Sequence, residues 1–375
     1  MKVAYVHNLP IEYYPPAENF LNSLSALANS TTDVYTTSNR KNREDYVCRS
    51  IRIHRSRSIN PVAHPIWRFM VAIWWHFNTA FSLRMLRPDV VIYVEPHSAI
   101  AVYLFLRMLG GKSKLYIHHH ELYSPDDYKK PGMRLPRLGS RLEQSYLFRR
   151  ATWISQTNED RLRMAIKEYK GDSLASWQLL PNYPPQRWVK NCMRSHNPMT
   201  STPVRFIYVG SASFEDTYIE EIVRWVAAQS GEITLHICGY NIAEDIWAWL
   251  EQERFLNITF SRNGVSYFEL PGLLISYDVG LVLYKGNTNN FIYNVPNKVF
   301  EYLACGLQVW YPSEMLSTRK FATQNPGWLR EIQFTDLDEV TYGNHQIPPP
   351  RPAYSHQHTA ESAFAPLINS LTVND

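Results

Sequence analysis

Apolar and polar positions along the chain fall into two trains of strands and amphipathic helices. The first train opens with KVAYVHN, a β-branched and aromatic strand that starts at Lys2. Helical periodicity follows over residues 17–28, and then come two strands, DVYTTS and SIRIHRS. Residues 66–86 carry apolar side chains at 66, 70, 73, 74, 77 and 81, which makes a helical stripe. PDVVIYVEP is apolar almost throughout, as strands covered on both faces of a parallel sheet are. SAIAVYLFLRMLG reads as a helix closed by Gly110, and KLYIHHHEL as the next strand. A helix over 138–150, the strand TWISQT, a helix over 158–169 and the strand ASWQLLPN complete the train.

Residues 184–203 have little periodicity and many breakers, and read as a linker. Alternation then restarts with VRFIYVG, ITLHICG, NITFS, YDVGLVLY and LQVWYP as strands. Helical stretches over 215–228, 243–251, 266–276 and 296–305 separate them. Two such trains predict an α/β protein of two doubly wound parallel-sheet, Rossmann-like domains. The expected division is residues 1–183, a linker over 184–203, a second domain over 204–345, and a proline-rich segment with a short final helix over 346–375. Ligands of such sheets bind beyond the carboxyl ends of the strands, so two facing domains would share a cleft.

Composition narrows the classes. A chain of 375 residues with 45% hydrophobic and 19% charged residues folds rather than staying disordered. The formal charge of +4 gives a weak bias toward anionic partners, and nothing points to nucleic acid. Four scattered cysteines lack CxxC spacing, which argues against a zinc module or a disulfide framework and fits a reducing, cytoplasmic setting. The start reads as a strand and not as a signal peptide. Arg68, His76 and Arg84 interrupt the long apolar stretch, so it is not expected to span a membrane. Its stripe is expected in the core. The alternative is a helix lying on a membrane, and the basic residues around it leave an anionic lipid surface open.

The stretch NVPNKVFEYLACG places Pro296 where a helix begins, followed by Asn297, Lys298 and, a turn on, Glu301. A lysine is the wrong charge for the positive end of a helix unless an anion sits there. Spare amides and an ammonium could then meet a phosphate, and the carboxylate could take both hydroxyls of a ribose. Local chemistry leaves this reading level with a helix that merely bears a surface lysine.

The same stretch resembles the donor-site motif of GT-B-fold glycosyltransferases, especially the family 4-like bacterial enzymes. LLPNYP, IYVGS, LHICG, YIHHHELY and RLEQSYLFRRATWISQT resemble further segments of that family, in its order, over roughly residues 1–335. The resemblance implies a transferase that moves a sugar from a nucleotide-sugar donor to a glycan or lipid-linked acceptor, with no metal or other cofactor. It implies ribose contact by Glu301 and diphosphate contact by Asn297, Lys298 and the loop of Gly210 and Ser211. His120 and Glu121 would lie near the reacting sugar. A second glutamate common in the family is replaced by Tyr293, which leaves the donor-sugar contact and the stereochemistry open. The usual Arg and Lys after IYVGS are absent, so Lys298, Arg262 or Lys285 would neutralise the diphosphate.

Alternation along KLYIHHHEL puts His118 and His120 on one face and His119 on the other. A neutral histidine can move a proton near neutral pH. Two histidines on one face could bind zinc, but no further Cys/His pair shows ligand spacing. Glu95 and His97 follow a buried strand, at a place that is either a site or only a turn. A GT-B-fold sugar-nucleotide epimerase and a non-catalytic sugar-nucleotide binder remain as other classes. No GxGxxG follows a strand, which disfavours a nicotinamide enzyme.

Overall fold

A computed structural model describes residues 1–39, 43–58, 62–169, 176–192, 203–229, 231–337 and 358–372. The chain divides into two compact units, Met1–Pro181 joined by the segment from Ala363 onward, and Asn182–Ser362. The proline-rich residues 346–357, expected to be extended, lie outside the described residues.

The first unit holds strands β1 (Lys2–His7), β2 (Thr31–Thr37), β3 (Ile51–Ser56), β4 (Val90–Val94), β5 (Lys114–His119), β6 (Trp153–Gln156) and β7 (Ser176–Leu179). Its helices are α1 (Pro15–Ser25), α2 (Pro65–Leu86), α3 (Pro96–Tyr103), α4 (Arg134–Leu142), α5 (Phe148–Arg150) and α6 (Glu159–Glu168). All strand pairings are parallel, in the order β3-β2-β1-β4-β5-β6-β7. The order reverses between β1 and β4, which register His7 against Val94. Alternation sends Ala4, Val6, Val91, Tyr93, Leu115 and Ile117 into one core. On the other face Tyr5, Ile92 and Val94 line a small cavity with Phe20 and Phe364.

The second unit holds β8 (Val204–Val209), β9 (Ile233–Cys238), β10 (Ile258–Ser261), β11 (Val279–Leu281), β12 (Gln308–Pro312) and β13 (Leu329–Ile332). Its helices are α7 (Gln186–Cys192), α8 (Ile219–Ala227), α9 (Glu244–Glu253), α10 (Leu270–Leu274), α11 (Asn289–Ile292), α12 (Asn297–Ala304) and α13 (Leu316–Thr323). The sheet is again parallel, in the order β10-β9-β8-β11-β12-β13, and it reverses between β8 and β11. Phe206 and Tyr208 enter one core with α8 and α9, while Ile207 enters a second with Val299 and Tyr302 of α12.

Four sequence expectations change. Residues read as linker contain α7, which buries Trp188 against Tyr267. The prolines before it mask a seven-residue helix whose apolar pair is too short to show a period. Strand β13 was not foreseen, because LREI has no apolar run. The last helix, α14 (Ala360–Thr372), is not a separate appendage. From Ala363 on it belongs to the first unit, where Phe364 meets Phe20 at 5.0 Å and Ser370 O accepts from Tyr116 Oη at 3.0 Å.

The fourth change is the stripe on α2. Ile66, Met70, Trp74, Phe77 and Phe81 are exposed, and the buried face is Ala72, Trp75, His76, Thr79, Ala80 and Leu83. A helix that is apolar nearly all round gives its sequence no preferred inward face. The face that turned inward is the one that packs on α3 and the segment after it.

Candidate functional site

In the second unit the residues of interest flank the strand-order reversal. β8 ends at Val209 and the chain turns at Gly210, whose amide donates to Cys238 O at 2.9 Å. Gly210 has φ of 150°, and a Cβ there would lie 2.4 Å from Lys298 Cε and 2.6 Å from its Nζ. The lysine of α12 therefore lies directly on this turn. Its Nζ donates to Tyr284 Oη at 2.6 Å, 4.7 Å from the centre of that ring, and Tyr284 follows β11. One ammonium thus bridges the carboxyl ends of the two strands at the reversal.

Helix α12 is pinned there from behind. Tyr302 Oη accepts from the Val209 amide at 3.0 Å, and the Tyr302 ring fills the space where Gly280 has no side chain. Pro296 is the cap of α12 and Asn297 its first residue, one place later than the sequence suggested. The amides of Asn297 and Lys298 lie in the first turn of α12 and have no partner inside the helix. Glu301, a turn on, is buried. Burial pushes its carboxyl up to about 7, against the pull of the Lys298 charge. No hydrogen bond holds that carboxylate among the described residues.

The other donor candidates scatter. Arg262 is exposed and engaged by Glu244 and Glu251 of α9. Lys285 donates to Phe214 O at 3.0 Å and pairs with Glu221 at 3.2 Å, at the far end of the loop that starts with Gly210. Ser211 is exposed, and its carbonyl accepts from Tyr208 Oη. Tyr293 is half-buried and ends α11. Lys298 is the cation that the geometry brings to the turn of Gly210. Tyr284, which sequence reasoning passed over, is signalled only by its place three residues past a buried strand.

In the first unit polar side chains crowd the ends of β1, β4 and β5. Glu95 follows β4 with φ of 64°, a left-handed conformation uncommon for a residue with a side chain. Its Oε1 accepts the amides of His120 at 2.6 Å and Glu121 at 3.0 Å. Its Oε2 has no partner among the described residues. Burial pushes the carboxyl up to about 8; the His119 charge opposes this and that of Glu121 adds to it.

His118 and His120 do share a face, with Nε2 and Nδ1 3.2 Å apart. His118 Nδ1 meets Ser155 Oγ at 2.9 Å, and burial holds this imidazole well below its usual pKa. His120 stacks on Tyr14, with centroids 6.0 Å apart, and Tyr14 in turn meets His7 edge-on at 4.7 Å. His7 is fully buried and neither ring nitrogen has a partner among the described residues; burial, then the His120 and His97 charges, hold its pKa well below the usual value.

His119 points the other way. Its Nε2 meets Glu143 Oε1 at 3.0 Å, and Tyr93 Oη donates to the same oxygen at 2.9 Å. Burial opposes its charging, but the Glu143 carboxylate outweighs burial and raises its pKa. Arg161, buried on α6, donates to His120 O at 2.5 Å and lies 3.8 Å from Glu121. The side chains of His120 and Glu121 open onto different cavities. His120 shares one with Tyr5, His118 and Phe364, and Glu121 shares the other with His119, Tyr123 and Glu143. Sequence reasoning missed His7, Tyr14 and Arg161. The first ends a strand beside the reversal, and the other two have no local signal.

Two parallel-sheet α/β units, each with one strand-order reversal, define the GT-B-like class of fold. Comparison with solved structures bears this out at low identity. The chain is similar to the lipopolysaccharide outer core galactosyltransferase WaaB in apo form, at 15% identity and a TM-score of 0.60, with 99% of each chain covered. It is similar to HepE of Anabaena in complex with UDP-glucose, at 10% identity and a TM-score of 0.64, with 99% of each chain covered. A third is UDP-GlcNAc 2-epimerase of Neisseria meningitidis bound to UDP-GlcNAc, at 14% identity and a TM-score of 0.62 over all of both chains. No family model matches the chain. No curated protein matches it in sequence.

Proposed function

We propose that this protein is a glycosyltransferase that moves a sugar from a nucleotide-sugar donor to a hydroxyl of a glycan or lipid-linked acceptor. The setting would be bacterial surface polysaccharide synthesis, in the cytoplasm and peripherally at the inner membrane. The observation that carries the reading is Lys298, laid across the turn of Gly210 with the open carboxylate of Glu301 a turn further along α12. The leaving diphosphate gathers charge in the transition state. The α12 amides and the Lys298 ammonium stabilise it without reorganising, and no step requires a metal. Glu301 accepts the ribose hydroxyls, and Asn297 and Tyr293 border the donor. His120 takes the proton of the acceptor hydroxyl. Glu121 is oriented by Arg161 and by the amide that Glu95 holds. The bound UDP-glucose and UDP-GlcNAc of the similar structures make uridine the first base to test.

The test is a titration with UDP, GDP, ADP and their sugars, read by calorimetry. Glu301→Ala is expected to weaken binding of the preferred nucleotide by about 1.5–3 kcal/mol, the cost of a charge-assisted hydrogen bond. Unchanged affinity would remove the donor site from α12. Epimerisation is the second reading, favoured by the buried Glu95 carboxyl beside the histidines and by the similar epimerase. Conversion of a nucleotide sugar to its epimer with no acceptor present would establish it.

A further inference from the structure

Helix α2 keeps most of its large apolar side chains on its outer face. Trp67, Met70, Trp74, Phe77, Phe81 and Met85 are between 55% and 69% exposed, while Ala72, Trp75, His76, Thr79, Ala80 and Leu83 turn inward. The exposed six recur every three or four residues and form one continuous ridge along a 22-residue helix. Met108 and Leu109, exposed on the segment that α2 packs against, widen it. An apolar patch this long on a protein surface marks a docking site.

The charges choose the partner. Residues 65–88 contain no carboxylate at all. Arg84 and Arg87 are exposed at the end of α2 and Arg107 on the segment that α2 packs against, and none pairs with a carboxylate among the described residues. An anionic headgroup layer meets these cations while its acyl chains take the aromatics, so one partner satisfies both halves of the surface. Tryptophan favours this boundary, since its ring is apolar and its N–H is polar. Among the described residues no helix is long and apolar enough to cross a membrane, so α2 would lie in the interface rather than span it.

We propose that the outer face of α2 docks this protein onto an anionic bilayer, with Trp67, Trp74, Phe77 and Phe81 entering the acyl boundary and Arg84, Arg87 and Arg107 on the headgroups. This names the surface for the peripheral association proposed above. It fails or stands separately from the donor site, because vesicle binding needs no sugar and nucleotide binding needs no lipid.

The test is partitioning of the full chain onto phosphatidylcholine vesicles with and without 30% phosphatidylglycerol, ~30% being a composition at which surface charge is strong. Binding is expected only with the anionic lipid, at least tenfold weaker at high salt. Trp74→Ser with Phe77→Ser should lower it at least tenfold, and so should Arg84→Glu with Arg107→Glu. All four side chains point outward, so thermal melting should match wild type. Quenching of tryptophan emission by brominated acyl chains should accompany binding. No partitioning onto any vesicle would overturn the proposal, as would full binding by both variants. So would a solution dimer, seen by sedimentation velocity, that Trp74→Ser with Phe77→Ser dissociates, because the ridge would then belong to a second copy.

Discussion

At the scale of single residues, the two neighbours His119 and His120 differ in the work they can do. His119 is locked between Glu143 and the Phe148 ring, so its loss leaves a buried carboxylate with one partner fewer. His119→Ala is expected to lose roughly 3–5 kcal/mol of stability, as broken buried pairs do. His120 lines a cavity beside His118 and Tyr14. His120→Asn is expected to keep the melting temperature within a few degrees while lowering transfer by roughly 10²-fold or more. Nucleotide affinity should stay unchanged, since the donor candidates all lie in the second unit. Equal transfer by wild type and His120→Asn would take the proton acceptor away from this histidine.

Glu95 makes a prediction in pH. Its folded carboxyl titrates at about 8 against an ordinary value of 4.5. The folded chain therefore keeps a proton that the unfolded chain releases sooner. The group's contribution to stability is whole below about 4.5 and is lost as pH rises through about 8, by at most about 1.4 kcal/mol per unit. Glu95→Gln keeps an oxygen for the two amides and cannot ionise. Melting curves of this variant should fall less steeply than wild type between pH 5 and 8. Parallel curves for the two proteins would mean that the carboxyl is already ionised when folded.

At the scale of elements, two glycines separate a ligand-side requirement from a structural one. A Cβ at Gly210 meets only the end of the flexible Lys298 side chain, so Gly210→Ala displaces the ammonium and strains one φ. A tenfold or greater loss of nucleotide affinity with about 1–3 kcal/mol of destabilisation is expected. A Cβ at Gly239 would lie 2.0 Å from the carbonyl oxygen of Gly210, which is backbone and cannot step aside. Gly239→Ala should therefore unfold the second unit at a much lower temperature. Comparable melting of the two variants would contradict this account of the turn. The helix after the histidine strand shows a related effect. It was read as one helix over 138–150, yet a π-turn over Glu143–Leu147 interrupts it. Such a turn shifts the following side chains around the axis, and Glu143, its first residue, is the partner of His119.

At the scale of the whole molecule, each sheet reverses its strand order once and gathers unusual polar residues there. Ligand protection should follow that pattern. With saturating UDP, amide exchange should slow at the end of β8 and the start of α12, while the β1, β4 and β5 core stays as in the free protein. Protection confined to the first unit would put the nucleotide on the wrong sheet.

The alternation of buried strands and amphipathic helices was legible because a parallel sheet covered on both faces favours continuous apolar runs, and VVIYV supplies one. The opposed directions of His119 and His120 were legible too, since strand side chains alternate whatever surrounds them. The tertiary structure alone decided the rest. Gly210 and Lys298, or Glu95 and the amides of His120 and Glu121, meet between elements separated in sequence, and no local period records which elements become neighbours. The outward turn of α2 was decided in the same way. Its residues are apolar on most sides, so the face that went inward, with Trp75 and Leu83 as well as alanines, was fixed by the elements it packs on, and Trp74, Phe77 and Phe81 were left on the surface.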